Sequence, residues 1–313
     1  MIKKVVIIGF MLLFIIGCST EDTEQTVTID NPFISGTEGL EASFENLRMD
    51  VRDNAQDPFD LIIKLQNLGE TKISAENIQV KVSGINPDEF QTTQTALTKK
   101  SQDDSLALRK TQEGDITPSP PLFIEFLGLS YEPQISGTQI TFPLKADICY
   151  KYQTDAVGKL CIRTNILNPE TKDGICEVTG DKTIYSSGAP VQIANLKESA
   201  RSQNKIGFTF EIINGGEGYV YEKETSCDKT ERQKENKVYV TVDTKMAGLT
   251  CIGLTSNGNG KAEGYATLYS GSKIISCTQE TPQNDFEQVI NIASEYDYEI
   301  SRTEQIIVKS SGI

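Results

Sequence analysis

A ten-residue block occurs twice in this chain and restricts the fold more than any other feature. Leu61 to Glu70 reads LIIKLQNLGE, and Phe208 to Glu217 reads FTFEIINGGE, 147 positions later. Two further stretches recur in the same order at nearly the same offset. Phe44-Glu45-Asn46-Leu47-Arg48 is answered by Ile193-Ala194-Asn195-Leu196-Lys197 at 149, and Tyr150-Lys151-Tyr152 by Tyr296-Asp297-Tyr298 at 146. Alternating apolar residues would explain a shared periodicity, but not the shared N-x-G-E that follows it. Preserved order and offset imply one structural unit used twice. At 313 residues the chain has room for two units, each able to bury a core.

The unit is made of strands. Leu61, Ile63 and Leu65 face one way, as do Phe208, Phe210 and Ile212, and the Asn and Gly that follow suit a turn because both tolerate positive φ. Alternation recurs in Ile78-Val80-Val82, Ile140-Phe142-Leu144, Val238-Val240-Val242 and Ala262 to Leu268, with Pro and Gly clusters between the runs. No long helical stripe is present. The expected class is all-β, with two tandem β-sandwich domains over residues 36–168 and 173–313. A polar stretch at about 85–121 has no counterpart of equal length in the second unit, which reads as a functional insertion or a disordered loop. Its Lys99, Lys100, Arg109 and Lys110 contrast with the acidic whole and suit an acidic neighbour or surface polymer.

The N-x-G turn after an early strand, in Leu61 to Glu70 and again in Phe208 to Glu217, resembles the immunoglobulin-like, adhesion-type modules of archaeal and bacterial surface proteins. That resemblance implies immunoglobulin-like sandwiches and a role in display, adhesion or scaffolding. It brings no catalytic residues with it.

Lys3 and Lys4 precede an apolar run from Val5 to Ile16, then Gly17 and Cys18, the pattern of a secretory signal over residues 1–18. The run is shorter than the ~20 residues that span a bilayer comfortably. Ile15-Ile16-Gly17-Cys18 resembles the lipobox of prokaryotic lipoproteins, which implies a lipidated Cys18 and an extracytoplasmic protein anchored to the cell membrane. Plain secretion and an uncleaved anchor are the alternatives. Residues 19–35 read as an acidic linker. Six more cysteines follow: Cys149, Cys161, Cys176, Cys227, Cys251 and Cys277. An even number without C-x-x-C spacing, in a chain with no His, reads as three disulfides and no metal site. Local strands pair them as Cys149 with Cys161 across a loop near Asp155, Cys251 with Cys277 across the Ser256 to Gly260 hairpin, and Cys176 with Cys227 by remainder.

The 30 Lys and Arg against 44 Asp and Glu, net −14, disfavour nucleic acid as a partner. Absence of His removes Ser-His-Asp and Cys-His catalysis, and no carboxylate pair stands in a distinctive motif. The loop Asp50 to Asp57 gathers three Asp side chains but lacks EF-hand spacing. The chain therefore reads as a non-enzyme without cofactor, a surface protein binding an extracellular protein or surface polymer. A solute-binding or chaperone-like lipoprotein is the alternative, and a carboxylate-dependent hydrolase comes third. Candidate contact residues lie in the second unit, expected to stand farthest from the anchor: Gly216, Glu217, Tyr219 and Tyr221 after the repeated turn, and Asn257 and Asn259 in the later hairpin. The alternative for the two tyrosines is packing inside a strand. Cys18→Ser is expected to move the protein from the membrane to the soluble fraction on fractionation; an unchanged membrane fraction would point to an uncleaved anchor.

Overall fold

Gln139–Ile162 and Phe286–Lys309 are 24-residue strands that pair antiparallel over their whole length in the computed structural model, which describes residues 30–111, 113–164, 166 and 175–312. The signal segment, Cys18, most of the acidic linker and the boundary expected between 168 and 173 lie outside the described residues. The first half of the chain supplies β1 (Leu40–Glu45), β2 (Asp50–Arg52), β3 (Phe59–Asn67), β4 (Ile78–Ser83), β5 (Thr98–Lys100), β6 (Arg109–Lys110), β7 (Ile116–Thr117), β8 (Leu122–Leu129) and β9 (Gln139–Ile162). The second supplies β10 (Gly180–Asp181), β11 (Ile184–Ser186), β12 (Val191–Ser202), β13 (Lys205–Asn214), β14 (Tyr219–Tyr221), β15 (Lys237–Asp243), β16 (Leu249–Cys251), β17 (Thr255–Ser256), β18 (Lys261–Thr267), β19 (Ser272–Glu280) and β20 (Phe286–Lys309).

The fold is all-β. β9 and β20 lie at the centre of a ten-stranded sheet ordered β17-β18-β15-β20-β9-β4-β5, with β2, β11 and β14 attached beside them. Two smaller sheets cover its inner face, β1-β3-β8 in the first half and β10-β12-β13-β19-β16 in the second. Buried apolar residues from both halves join in one continuous core. The duplication is visible in the register: Ile63 opposes Ile124 in the first half, and its counterpart Phe210 opposes Ile275 in the second. By the same comparison β1 matches β12, β4 matches β15, β5 matches β18, and β9 matches β20.

β9 is long because its sequence alternates without interruption. Leu144, Ala146, Ile148, Tyr150, Tyr152, Thr154 and Ala156 are buried, while Lys145, Lys151, Gln153 and Asp155 between them are not. Tyr150 opposes Tyr298 and Tyr152 opposes Tyr296, so the midpoint of the ladder, where Lys151 faces Asp297, is a pseudo-twofold axis. The four tyrosines are at most 1% exposed and touch one another at ring distances of 5.7 to 6.4 Å. Burial raises all four phenols above their ordinary pKa range, so each hydroxyl stays neutral.

The duplication gives the four hydroxyls matching partners in the two halves. Leu40 N donates to Tyr150 Oη and Val191 N to Tyr296 Oη, both at 3.2 Å. Tyr152 Oη donates to Asn67 Oδ1 and Tyr298 Oη to Asn214 Oδ1, both at 3.1 Å. Asn67 Nδ2 then closes its turn on Thr71 O, as Asn214 Nδ2 does on Gly218 O. This corrects the sequence-based account of the N-x-G motif. Neither Asn67, Gly69, Asn214 nor Gly216 has positive φ. The glycines are small because a Cβ would lie 2.0 Å from Tyr152 Oη at Gly69 and 2.5 Å from Tyr298 Oη at Gly216. Positive φ belongs instead to the other repeated stretch, at Asn46 (φ 49) and Asn195 (φ 55). At Asn195 the backbone bulges, and the pairing of β12 with β13 shifts between Ala194 and Lys197.

Three disulfides form, as in a chain folded in an oxidising compartment, but two of the expected pairs are exchanged. Cys251 pairs with Cys277 as expected, directly across β16 and β19. Cys149 pairs with Cys227, and Cys161 with Cys176. No loop exists near Asp155: Cys149 and Cys161 sit on one extended strand, twelve residues or about 40 Å apart, and cannot meet. Cys149–Cys227 instead ties the two halves together.

The segment 85–121 is likewise built in. Its Phe90 is fully buried and packs edge-on against Phe59, Tyr131 and Phe142, closing the outer end of the first half. β5 extends the long sheet, and β6 with β7 makes an exposed hairpin. The described chain enters at the junction rather than at one end. Glu70 accepts from Ile34 N, Ser35 N and Gly188 N, and Gln192 Nε2 donates to Gly36 O. Residues 34–36 thus contact both halves.

Asn67→Ala would strip Tyr152 Oη and Gly69 N of a buried partner. A loss of about 1–3 kcal/mol in denaturant unfolding is expected, with a similar loss for Asn214→Ala. No change in either would remove the tyrosine cluster from the account of stability.

Candidate partner-binding face

The two halves differ most where β13 leads to the long sheet. Residues 68–77 link β3 to β4, whereas residues 215–236 stand between β13 and β15 and include β14. β14 pairs with β20, Tyr219 opposite Glu299 and Tyr221 opposite Asp297. The chain then folds back over the outer face of the central ladder. Asp297 anchors it by accepting from the backbone of Glu224, Thr225 and Ser226 at 3.2, 2.8 and 2.7 Å. Cys149–Cys227 anchors it again, with Tyr221 packed against the disulfide. Burial holds the Asp297 carboxyl above its usual range despite the three donors that favour its charge.

Lys229 follows in this loop. It reaches Glu299 at 2.8 Å and Asp147 at 3.6 Å, and Lys145 also meets Asp147 at 2.7 Å. Burial raises the Glu299 carboxyl, while the Lys229 ammonium draws it back. Two surface hollows flank this network. One of about 430 Å³ is lined by Lys145, Tyr219, Arg232 and Glu235, the other of about 520 Å³ by Lys81, Thr98, Asp147 and Asp228. Tyr219 stands 66% exposed at the rim of the first. An exposed aromatic beside cations, next to a loop fixed by a disulfide and three backbone hydrogen bonds, offers contact area at small entropic cost.

The sequence-based candidates separate into two places. Glu217 and Tyr219 are exposed beside this face, whereas Tyr221 is buried and Gly216 is pressed against Tyr298 and Pro190. Asn257 and Asn259 form the exposed tip of the β17–β18 hairpin, where Asn257 Oδ1 accepts from the backbone of Asn259 and Lys261. Through β15, Lys261 aligns with Asn291 of β20, eight residues or about 26 Å from Glu299. The hairpin therefore belongs to another surface. In the Asp50 to Asp57 loop each carboxylate has its own partner: Asp50 meets Lys309, Asp57 meets Arg48, and Asp53 accepts from Ile135 N and Ser311 N. Among the described residues no group of three or more His, Cys, Asp or Glu is arranged to hold a metal.

Sequence reasoning missed Asp297, Glu299, Lys229 and Glu198. One signal was available for the first, because the repeated Tyr-x-Tyr holds Lys151 in one copy and Asp297 in the other. Glu198 shows a different divergence. Beside the first half, Ile307 N of β20 donates to the Met49 carbonyl at 2.9 Å where β2 runs along that strand. At the matching place Cys161 N donates to the Glu198 carboxylate, also at 2.9 Å, so a side chain replaces a backbone. Glu198 is 3% exposed and lies 3.3 Å from Lys182. A hollow of about 340 Å³ lies alongside, lined by Lys159, Cys161, Cys176 and Lys182. Burial raises its carboxyl from 4.5 to about 7, outweighing Cys161 N and Lys182.

The folded state thus binds a proton that the unfolded state releases near pH 4.5. Stability from this group is complete below that pH and is lost as pH rises through about 7. Glu198→Gln, which keeps an acceptor for Cys161 N, should gain on wild type by up to about 3 kcal/mol between pH 4.5 and 8 in denaturant titrations. A difference constant over that range would refute the assignment.

No protein-family model matches the chain, and no match appears among curated proteins. One solved structure it aligns with is described as the complete structure of manganese lipoxygenase of Gaeumannomyces graminis and partial structure of zonadhesin of Komagataella pastoris. The alignment covers 87% of this chain and 92% of that one at 9% identity, with a TM-score of 0.12, too low to bear on fold or function.

Proposed function

We propose that the protein is a non-enzymatic surface module, two immunoglobulin-like sandwiches held to the cell membrane through Cys18, that binds an extracellular protein or surface polymer. The observation that carries this reading is the outer face at the junction, where exposed Tyr219 of β14 stands beside Lys145 of β9 and Arg232 of the loop pinned by Cys149–Cys227. Three disulfides suit an extracytoplasmic site. Among the described residues no helix is long and apolar enough to cross a membrane, so attachment in this reading falls to the N-terminal segment.

A solute-binding lipoprotein would need a pocket between the halves, and the four tyrosines occupy that space. A carboxylate hydrolase would need an acid pair free to act on a substrate, whereas the Lys229 ammonium lies between Asp147 and Glu299.

The double variant Tyr219→Ala with Arg232→Ala tests the reading. Immobilised against the native cell-surface fraction, it is expected to retain its partner about tenfold less than wild type, with unchanged thermal unfolding. Equal retention would exclude this face as the binding surface.

A further inference from the structure

The duplication leaves one edge covered in the second half and bare in the first. β8 and β19 are equivalent, each pairing with the middle strand of its small sheet. β19 carries β16 on its far side, joined by Cys251–Cys277, and the same segment continues into β17 on β18. Residues 249–256 therefore close the side of the sandwich between the two sheets. In the first half the matching edges are β8 and β5, and among the described residues no strand lies between them. A groove of about 510 Å³ takes its place, lined by Lys99, Lys100, Phe123, Ile124 and Leu127.

The bare edge has a definite chemistry. Phe123 and Leu127 are 51% and 62% exposed on the outer face of β8. By register, Phe126 occupies the position of Cys277, since Leu61 opposes Phe126 as Phe208 opposes Cys277. Where Cys251 would reach in, Lys99 instead lies over the Phe126 ring at 5.3 Å and donates to the Glu125 carbonyl at 2.7 Å. Lys100 donates to the Glu76 carbonyl at 3.0 Å. Both ammonium groups thus rest on backbone oxygens, without a carboxylate. A lysine laid across an open edge guards against promiscuous pairing, and a strand that brings its own carboxylate inward would displace it.

We propose that β8 accepts an extended segment of a partner protein, added antiparallel as β16 is added to β19. Its outward residues are apolar, against Phe123 and Leu127, and an inward acidic residue meets Lys99, with Lys100 adding positive charge on the rim of the groove. This surface is separate from the face around Tyr219 and does not depend on it.

The probe is a labelled synthetic peptide of residues 248–257 of this chain carrying Cys251→Asp, titrated against the full chain in detergent. Its counterpart carries Cys251→Lys. The acidic peptide is expected to saturate at micromolar concentrations and to bind about tenfold more tightly than the basic one. Lys99→Glu with Lys100→Glu should reverse that preference, and Phe123→Lys with Leu127→Lys should abolish binding of both. Absence of saturable binding up to about 1 mM, or a preference unchanged by charge reversal, would overturn the proposal. So would sedimentation showing a dimer that Phe123→Lys with Leu127→Lys converts to monomer, because the occupant would then be a second copy of this chain.

Discussion

The ladder between β9 and β20, with four buried tyrosines at its midpoint, is the constraint on which the rest of the molecule rests. A strand that stays in register for 24 residues must keep one face apolar throughout, and any polar group placed inward must be satisfied where it stands. The tyrosines meet that demand by sending each hydroxyl into the small sheet above. Tyr152 and Tyr298 take hold of the asparagines that shape the turns after β3 and β13. The same contacts seat Gly69 and Gly216 and join each small sheet to the common one. An uncompensated phenol at this depth would cost about 1–3 kcal/mol, which explains why the pair of motifs recurs together in both halves.

Around this shared centre the two copies have drifted apart in ways that physical chemistry can follow. Where the first half uses the backbone of β2 beside β20, the second uses the Glu198 carboxylate. Where the second half covers its edge with a disulfide-held strand, the first leaves a lysine lying over Phe126. The short link of the first half becomes, in the second, a loop fastened across the outer face by Asp297 and Cys227. Each replacement leaves the pairing of β9 with β20 unbroken while altering buried groups and the surface above them, so the surfaces of the two halves can serve different ends.

Much of the architecture was legible in the residues. Period-two alternation marked the strands, three recurring stretches marked the duplication, and an even cysteine count without histidine marked disulfides. The candidate face was legible only in part. Alternation puts Tyr219 and Tyr221 on one face, and only the Cys149–Cys227 disulfide packed on Tyr221 separates the exposed ring from the buried one. Nothing local indicates that Asp297 would gather the backbone of residues 224 to 226, because those partners are about seventy positions away.

By itself, then, the sequence determined the class of structure and its twofold repetition, since both follow from side-chain period and from similarity between segments. Only the tertiary structure decided how the repeats meet. Antiparallel pairing of β9 with β20 turns two expected beads into halves of one sheet and brings Cys149 to Cys227 across the junction. It also explains the motif glycines by the nearness of a tyrosine rather than by backbone freedom. Those outcomes depend on contacts between residues far apart in the chain, and a period of two is the same whether a strand has six residues or twenty-four.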